Sequence, residues 1–123
     1  MSNDEITGAI IGAAIEVHRR LGPGLLESVY ETCLAFEFGQ RGIAFRQQRP
    51  MPIRYGDLLI ELAYRADFLV EDAILVELKA VSAIHPVHTA QVLTYLELSG
   101  LRTALLIDFN VPVLREGIRR FIL

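Results

Sequence analysis

The segment YRADFLVEDAILVELKA, Tyr64 to Ala80, holds two apolar runs rich in β-branched residues, Ala66 to Val70 and Ile74 to Ala80, on either side of the polar pair Glu71-Asp72. That pattern predicts two strands joined by a tight hairpin. A loop of Glu71, Asp72 and Ala73 sets Val70 against Ile74, and counting outward along an antiparallel ladder sets Asp67 opposite Glu77. Lys79, two residues beyond Glu77, points the same way, while Val76, Leu78 and Ala80 line the other face with apolar groups. One hairpin thereby gathers two carboxylates and an ammonium.

Like charges placed opposite one another in a sheet cost stability, and strands this apolar are usually buried, so the arrangement calls for a compensating ligand. A hard divalent cation, Mg²⁺ or Mn²⁺, takes oxygen from one or two carboxylates, keeps several waters and can present one of them as a nucleophile. The lysine then holds that water or offsets negative charge developing on a phosphate. The competing reading is a structural ion pair of Asp67, Glu77 and Lys79 at a sheet rim, and short motifs of this kind match often by chance. Lys79 is the only lysine in the chain, every other basic side chain apart from histidine being arginine.

Asp67 followed on the next strand by Glu77-Leu78-Lys79 resembles the active-site signature of the PD-(D/E)XK nuclease superfamily. Within that superfamily the chain is similar to a small bacterial family, the GxxExxY proteins. Their motif is matched by Gly24-Leu25-Leu26-Glu27-Ser28-Val29-Tyr30, and the likeness extends through VHRRLGPG, YRADFLVED, VELKA, QVLTYL and LLIDFN. Ala66 stands where the superfamily signature has proline, a variable position. The resemblance implies metal-dependent nuclease activity. It also implies an α/β fold with a restriction-endonuclease-like core: a mixed sheet, an antiparallel meander plus one parallel strand after a crossover helix, flanked by helices.

A length of 123 residues fits one domain, 1–123, and an apolar fraction of 52% suffices for a packed core. No apolar run reaches the roughly 18 residues that span a membrane, and no basic, apolar and small-residue leader opens the chain, so a cytoplasmic location is expected. Cys33 is alone, which excludes an intrachain disulfide and any cysteine-held zinc or iron–sulfur site. A net charge of −3 counts against a purely electrostatic nucleic-acid binder. Arginines nonetheless cluster at Arg19 and Arg20, at Arg46, Arg49 and Arg54, and at Arg115, Arg119 and Arg120. The high apolar fraction in so short a chain further predicts a homodimer that covers leftover apolar surface.

Ser2 with Glu5 matches a capping box, and apolar spacing continues the first helix to about Arg20, before Gly22-Pro23-Gly24 stops it. A second helix is predicted from about Leu25 to Arg41, closed by Gly42, with Glu27, Tyr30, Glu31 and Leu34 on one face. Strands follow at Ile43 to Gln48, Pro52 to Tyr55 and Leu58 to Ala63, with a turn at Gly56-Asp57. Pro86 opens a helix to about Ser99, and Arg102 to Asp108 is a strand parallel to Ile74 to Ala80. The tail, Leu114 to Leu123, reads as either a strand or a short helix.

Gln91 and Tyr95 lie four apart on the crossover helix with His88 on the same face. Their spacing resembles the QxxxY accessory motif of RecB-like nucleases, which implies that they position metal or DNA. Glu27 complements the helix dipole, and the resemblance implies that it joins Asp67, Glu77 and the carbonyl of Leu78 around one or two Mg²⁺ or Mn²⁺. The leading expectation is hydrolysis of nucleic acid, DNA first, with Asp67, Glu77, Lys79, Gln91 and Tyr95 as the active residues. The alternative is a catalytically silent nuclease-fold module acting as a dimer or with a protein partner. The three histidines match no zinc spacing.

Overall fold

The Ser2 hydroxyl accepts the Glu5 amide hydrogen at 3.1 Å while the Glu5 carboxylate reaches back to the Ser2 amide, so the first helix starts where its capping box places it. The computed structural model describes residues 1–123, in the order α1 (Asn3–Leu21), α2 (Glu27–Gln40), β1 (Phe45–Tyr55), β2 (Leu58–Val70), β3 (Ile74–Lys79), α3 (Pro86–Ser99), β4 (Thr103–Asp108), a 3₁₀ turn (Leu114–Gly117) and β5 (Ile118–Ile122). The five strands form one open sheet in sequence order. Only the β3–β4 pair is parallel, and α3 is the crossover between them. This is the α/β, restriction-endonuclease-like arrangement that the resemblance implied.

Two cores flank the sheet. Beneath α1 and α2, eighteen buried side chains pack together, Ile10, Tyr30, Phe38, Phe68, Val76 and Leu78 among them. Beneath α3 the second core has only seven, including Ala66, Leu75, Val92 and Leu96. Every residue of β4 is buried and β3 is covered on both faces up to Leu78, as a central strand with helices on each side requires.

The β2–β3 hairpin turns as its sequence dictates. Val70 pairs with Ile74, and the ladder runs through Leu69–Leu75 to Phe68–Val76. Glu71 and Asp72 both take left-handed backbone, φ 53° and 54°, as the central residues of a type I′ turn closed by the Ala73 amide on the Val70 carbonyl, and Ala73 completes the three-residue loop. Four boundaries differ from expectation. The segments Ile43 to Gln48 and Pro52 to Tyr55 are one strand, because β1 lies at the sheet edge, where Pro50 and Pro52 need not donate, and a register shift between Met51 and Ile53 absorbs the irregularity. Leu58 to Val70 is likewise continuous. β3 ends at Lys79, so Ala80 lies outside it. The tail is both things at once, a 3₁₀ turn and then a strand against β4.

Gly117 sits where that tail passes closest to the end of β4. A Cβ there would collide with the Asp108 carbonyl oxygen and touch Val111. Gly117→Ala is therefore expected to lose roughly 1–3 kcal/mol, read as a lowered midpoint in urea; a midpoint equal to the parent's would show that the tail yields freely.

Candidate active site

β2 and β3 part company at Asp67. The paired register stops at Phe68–Val76, so Asp67 and Glu77, the next residue on each strand, are not the ladder partners that the count predicts but neighbours across the opening. The orientation is not what simple alternation gives either. Ala66 and Phe68, two residues apart, should share a face, yet Phe68 packs beneath α1 and α2 while Ala66 packs beneath α3. β2 turns over at Asp67. Its carboxylate lies in the split and accepts the Leu78 amide hydrogen at 2.8 Å, taking the place of a carbonyl of β2.

The opposite side of the split is held by a residue that sequence reasoning missed. Gln48 on β1 lies between the pairs Gln47–Phe68 and Arg49–Ala66, level with Asp67, and its backbone is left-handed at φ 52°. A non-glycine residue held there inside a strand is uncommon, and such strain gathers at functional sites. The Gln48 side-chain amide donates to Asp67 Oδ1 at 3.2 Å and to both oxygens of Glu31 at 3.0 Å, while Gln47 donates to Glu31 at 2.6 Å. Glu31 stands one turn beyond Glu27 on α2, and that shared helix face was the one available signal. Nothing local marked Gln48.

Burial drives the electrostatics. Desolvation pushes the Glu77 carboxyl from its ordinary 4.5 up to about 9, reinforced by the negative charge of Asp67 beside it. Asp67 is also raised, by burial first, with the Leu78 amide opposing the shift. Glu77 Oε1 is buried without any hydrogen-bond partner. None of the chain's ion pairs includes Asp67, Glu77 or Lys79, so these side chains do not form the structural ion pair that was the competing reading. Lys79 is half-buried on the same strand, two residues from Glu77.

Glu27 opens α2 and is exposed, raised by desolvation but near enough to feel the opposing charges of Lys79 and Asp67. Tyr30, three residues on, is fully buried: it accepts the Leu25 amide hydrogen at 3.1 Å and donates to the Gly22 carbonyl at 2.6 Å, with its ring stacked on Phe109. The tyrosine of GLLESVY thus locks the turn that launches α2, and the glutamate rides on the result. On α3, Tyr95 stacks on Tyr64 with ring centroids 3.6 Å apart. Desolvation raises both phenols, Tyr64 to about 12, and the charge of Glu77 adds to each. Gln91, one turn earlier, stands exposed, and His88 accepts the His85 amide hydrogen at the start of α3. His18 is tied to the Val111 carbonyl at 2.8 Å, so none of the three histidines is arranged as a ligand set.

The donors present fit a hard divalent cation. They are oxygens, one of them an orphaned buried carboxyl oxygen, and their charges repel in its absence. No three acidic, histidine or cysteine side chains converge, so two carboxylates would be completed by main-chain oxygen and water, the habit of Mg²⁺ and Mn²⁺.

A mixed α/β/α sheet that splits at Asp67 beside Glu77-Leu78-Lys79 defines a nuclease-like architecture. The chain belongs to the PD-(D/E)XK nuclease superfamily, whose model matches residues 4–121. No curated protein and no solved structure matches it. No helix is long and apolar enough to cross a membrane.

A carboxyl raised in the folded state destabilises that state once ionised. The metal-free protein therefore keeps its full stability from Glu77 below pH 4.5 and loses it progressively as pH rises toward about 9. Glu77→Gln removes this slope, so melting followed between pH 5 and 9 in EDTA should fall for the parent and stay flatter for the variant; parallel curves would place the ionisation elsewhere.

Proposed function

We propose that residues 1–123 form a single nuclease domain that hydrolyses phosphodiester bonds of nucleic acid, DNA first, with Mg²⁺ or Mn²⁺. The observation that carries this reading is the juxtaposition of Asp67 and Glu77 at the strand split, with Glu77 Oε1 buried and unpartnered. A cation bound there supplies Lewis acidity and a water of lowered pKa. Asp67 is fixed by the Leu78 amide on one oxygen and by Gln48 on the other, so its direction is set before any ligand arrives. Ionised Glu77 would hold the ion together with Asp67, the Leu78 carbonyl and Glu27. Lys79 holds the attacking water or offsets charge on the phosphorane. Tyr95, stacked on Tyr64, walls the site, and Gln91 on the same helix guides the strand.

A second reading, a nuclease-fold module without turnover that acts as a homodimer, is favoured by the acidic balance of the chain and by the exposed apolar end of the β1–β2 hairpin. Incubation of labelled single-stranded, duplex and branched DNA and RNA with Mg²⁺, Mn²⁺ or EDTA separates the two.

Lys79→Ala is expected to lose cleavage by about 10²-fold or more; cleavage at the parent rate would remove the lysine from the chemistry. Metal binding has its own readout. A ligand that binds only the folded state at ten times its Kd adds roughly 1.4 kcal/mol, a melting shift of roughly 3 to 8 °C for a domain of this size. The parent should show that shift with Mn²⁺ and Asp67→Asn should not, while Asp67→Asn without metal should cost little stability. Indifference of the parent to Mn²⁺, with strong destabilisation of Asp67→Asn, would favour the silent module.

A further inference from the structure

The outer half of the β1–β2 hairpin leaves one apolar face bare. Ile53 pairs with Ile60 and Tyr55 with Leu58, so these side chains share a face, and Leu62, within the register shift beyond Ile60, adds exposed apolar surface at the root of the arm. Tyr55 is 77% exposed, Leu58 59%, Leu62 51% and Ile60 41%. Toward the body of the protein the row runs into Met51 and Tyr64, which pack in the core beneath α3. Past them it is uncovered. Two strands with a bare apolar face are marginal in water, and a contiguous exposed apolar row on a regular strand pair is a candidate contact surface.

The β1 edge of the arm is closed to strand addition at its base. β1 is the edge strand, and Pro50 and Pro52 lack the donors that a new neighbour would need. β2 has no second neighbour past the split, so it is the bare apolar row, rather than a blocked edge, that points to contact face to face.

We propose that the occupant is a second copy of the chain, with two arms packed face against face about a twofold axis near Ile53 and Ile60. The charge along the arm is self-complementary in that arrangement. Asp57 at the tip and Arg49 at the base each lie four residues from Ile53, and Arg49 pairs with Ala66, on the side that faces α3. A twofold axis at the midpoint lays the rows antiparallel and brings each tip to the other's base, Asp57 against Arg49. Neither residue has an ion-pair partner within its own chain. This arrangement gives a surface to the homodimer proposed above and is independent of phosphodiester chemistry, so it is tested without substrate.

Sedimentation equilibrium of the full chain from low to high micromolar concentration is expected to show a dimer. Leu58→Gln with Ile60→Gln, at exposed positions and with unchanged melting, should raise the dimer Kd by roughly tenfold or more. Asp57→Arg alone and Arg49→Asp alone should each weaken self-association, and an equimolar mixture of the two should recover a dimer tighter than either forms by itself. A parent that is monomeric throughout, a dimer indifferent to the Leu58 and Ile60 changes, or a mixture no tighter than its components would each overturn the proposal. So would a monomeric parent whose affinity for duplex DNA drops in the Leu58 and Ile60 variant, since the arm would then serve nucleic acid.

Discussion

The hydrogen bond from the Leu78 amide to the Asp67 carboxylate is the contact on which the rest of the site depends. A main-chain donor inside a sheet must find an acceptor. Where β2 would ordinarily supply a carbonyl, this chain supplies a side chain, and the two strands separate without leaving the amide unsatisfied. β2 turns over at that level, so Phe68 enters one core and Ala66 the other. Beyond the split β2 has only β1 as a partner, and the pair runs out as an arm.

Opening the sheet there puts a carboxylate into an apolar interior next to a second one. The consequence is visible in the raised values of Asp67 and Glu77 and in the orphaned oxygen of Glu77. A cluster of this kind lowers the stability of the metal-free fold, a common feature of sites organised for a charged ligand. Neighbouring structure compensates in part. Gln48, at the cost of left-handed backbone, ties Asp67 to Glu31 on α2. On the far face the stacked pair Tyr64 and Tyr95 fixes α3 against the sheet beside Glu77, and Tyr30 locks the turn from which Glu27 projects. Two helices and three strands thus converge on one point of the sheet.

The two cores are unequal, and that imbalance explains the arm. α1 and α2 together cover one face broadly, whereas α3 alone covers the other, and its cover ends near Tyr64. The apolar row of Ile53, Tyr55, Leu58 and Ile60 lies where this chain supplies no second layer. Its sequence is written for a buried face.

Short-range physics made much of this legible in the sequence. The capping box at Ser2, the breaks at Gly22 and Gly100, the polar pair that turns the hairpin and the crossover before Arg102 all act within a few residues, and each element they predict is present. The register from Val70–Ile74 to Phe68–Val76, which brings Asp67 next to Glu77, follows from loop length. What tertiary structure decided is everything that depends on contacts between elements distant in sequence: the inversion of β2 at Asp67, the link from Glu31 through Gln48, the buried lock made by Tyr30, and the continuity of β1 through its two prolines at an edge. Periodicity assigns a side chain to a face only while the strand stays regular. At Asp67 a side chain competes successfully with the backbone for the Leu78 amide, and the outcome of that competition is set by packing across the sheet rather than by the residues on either side.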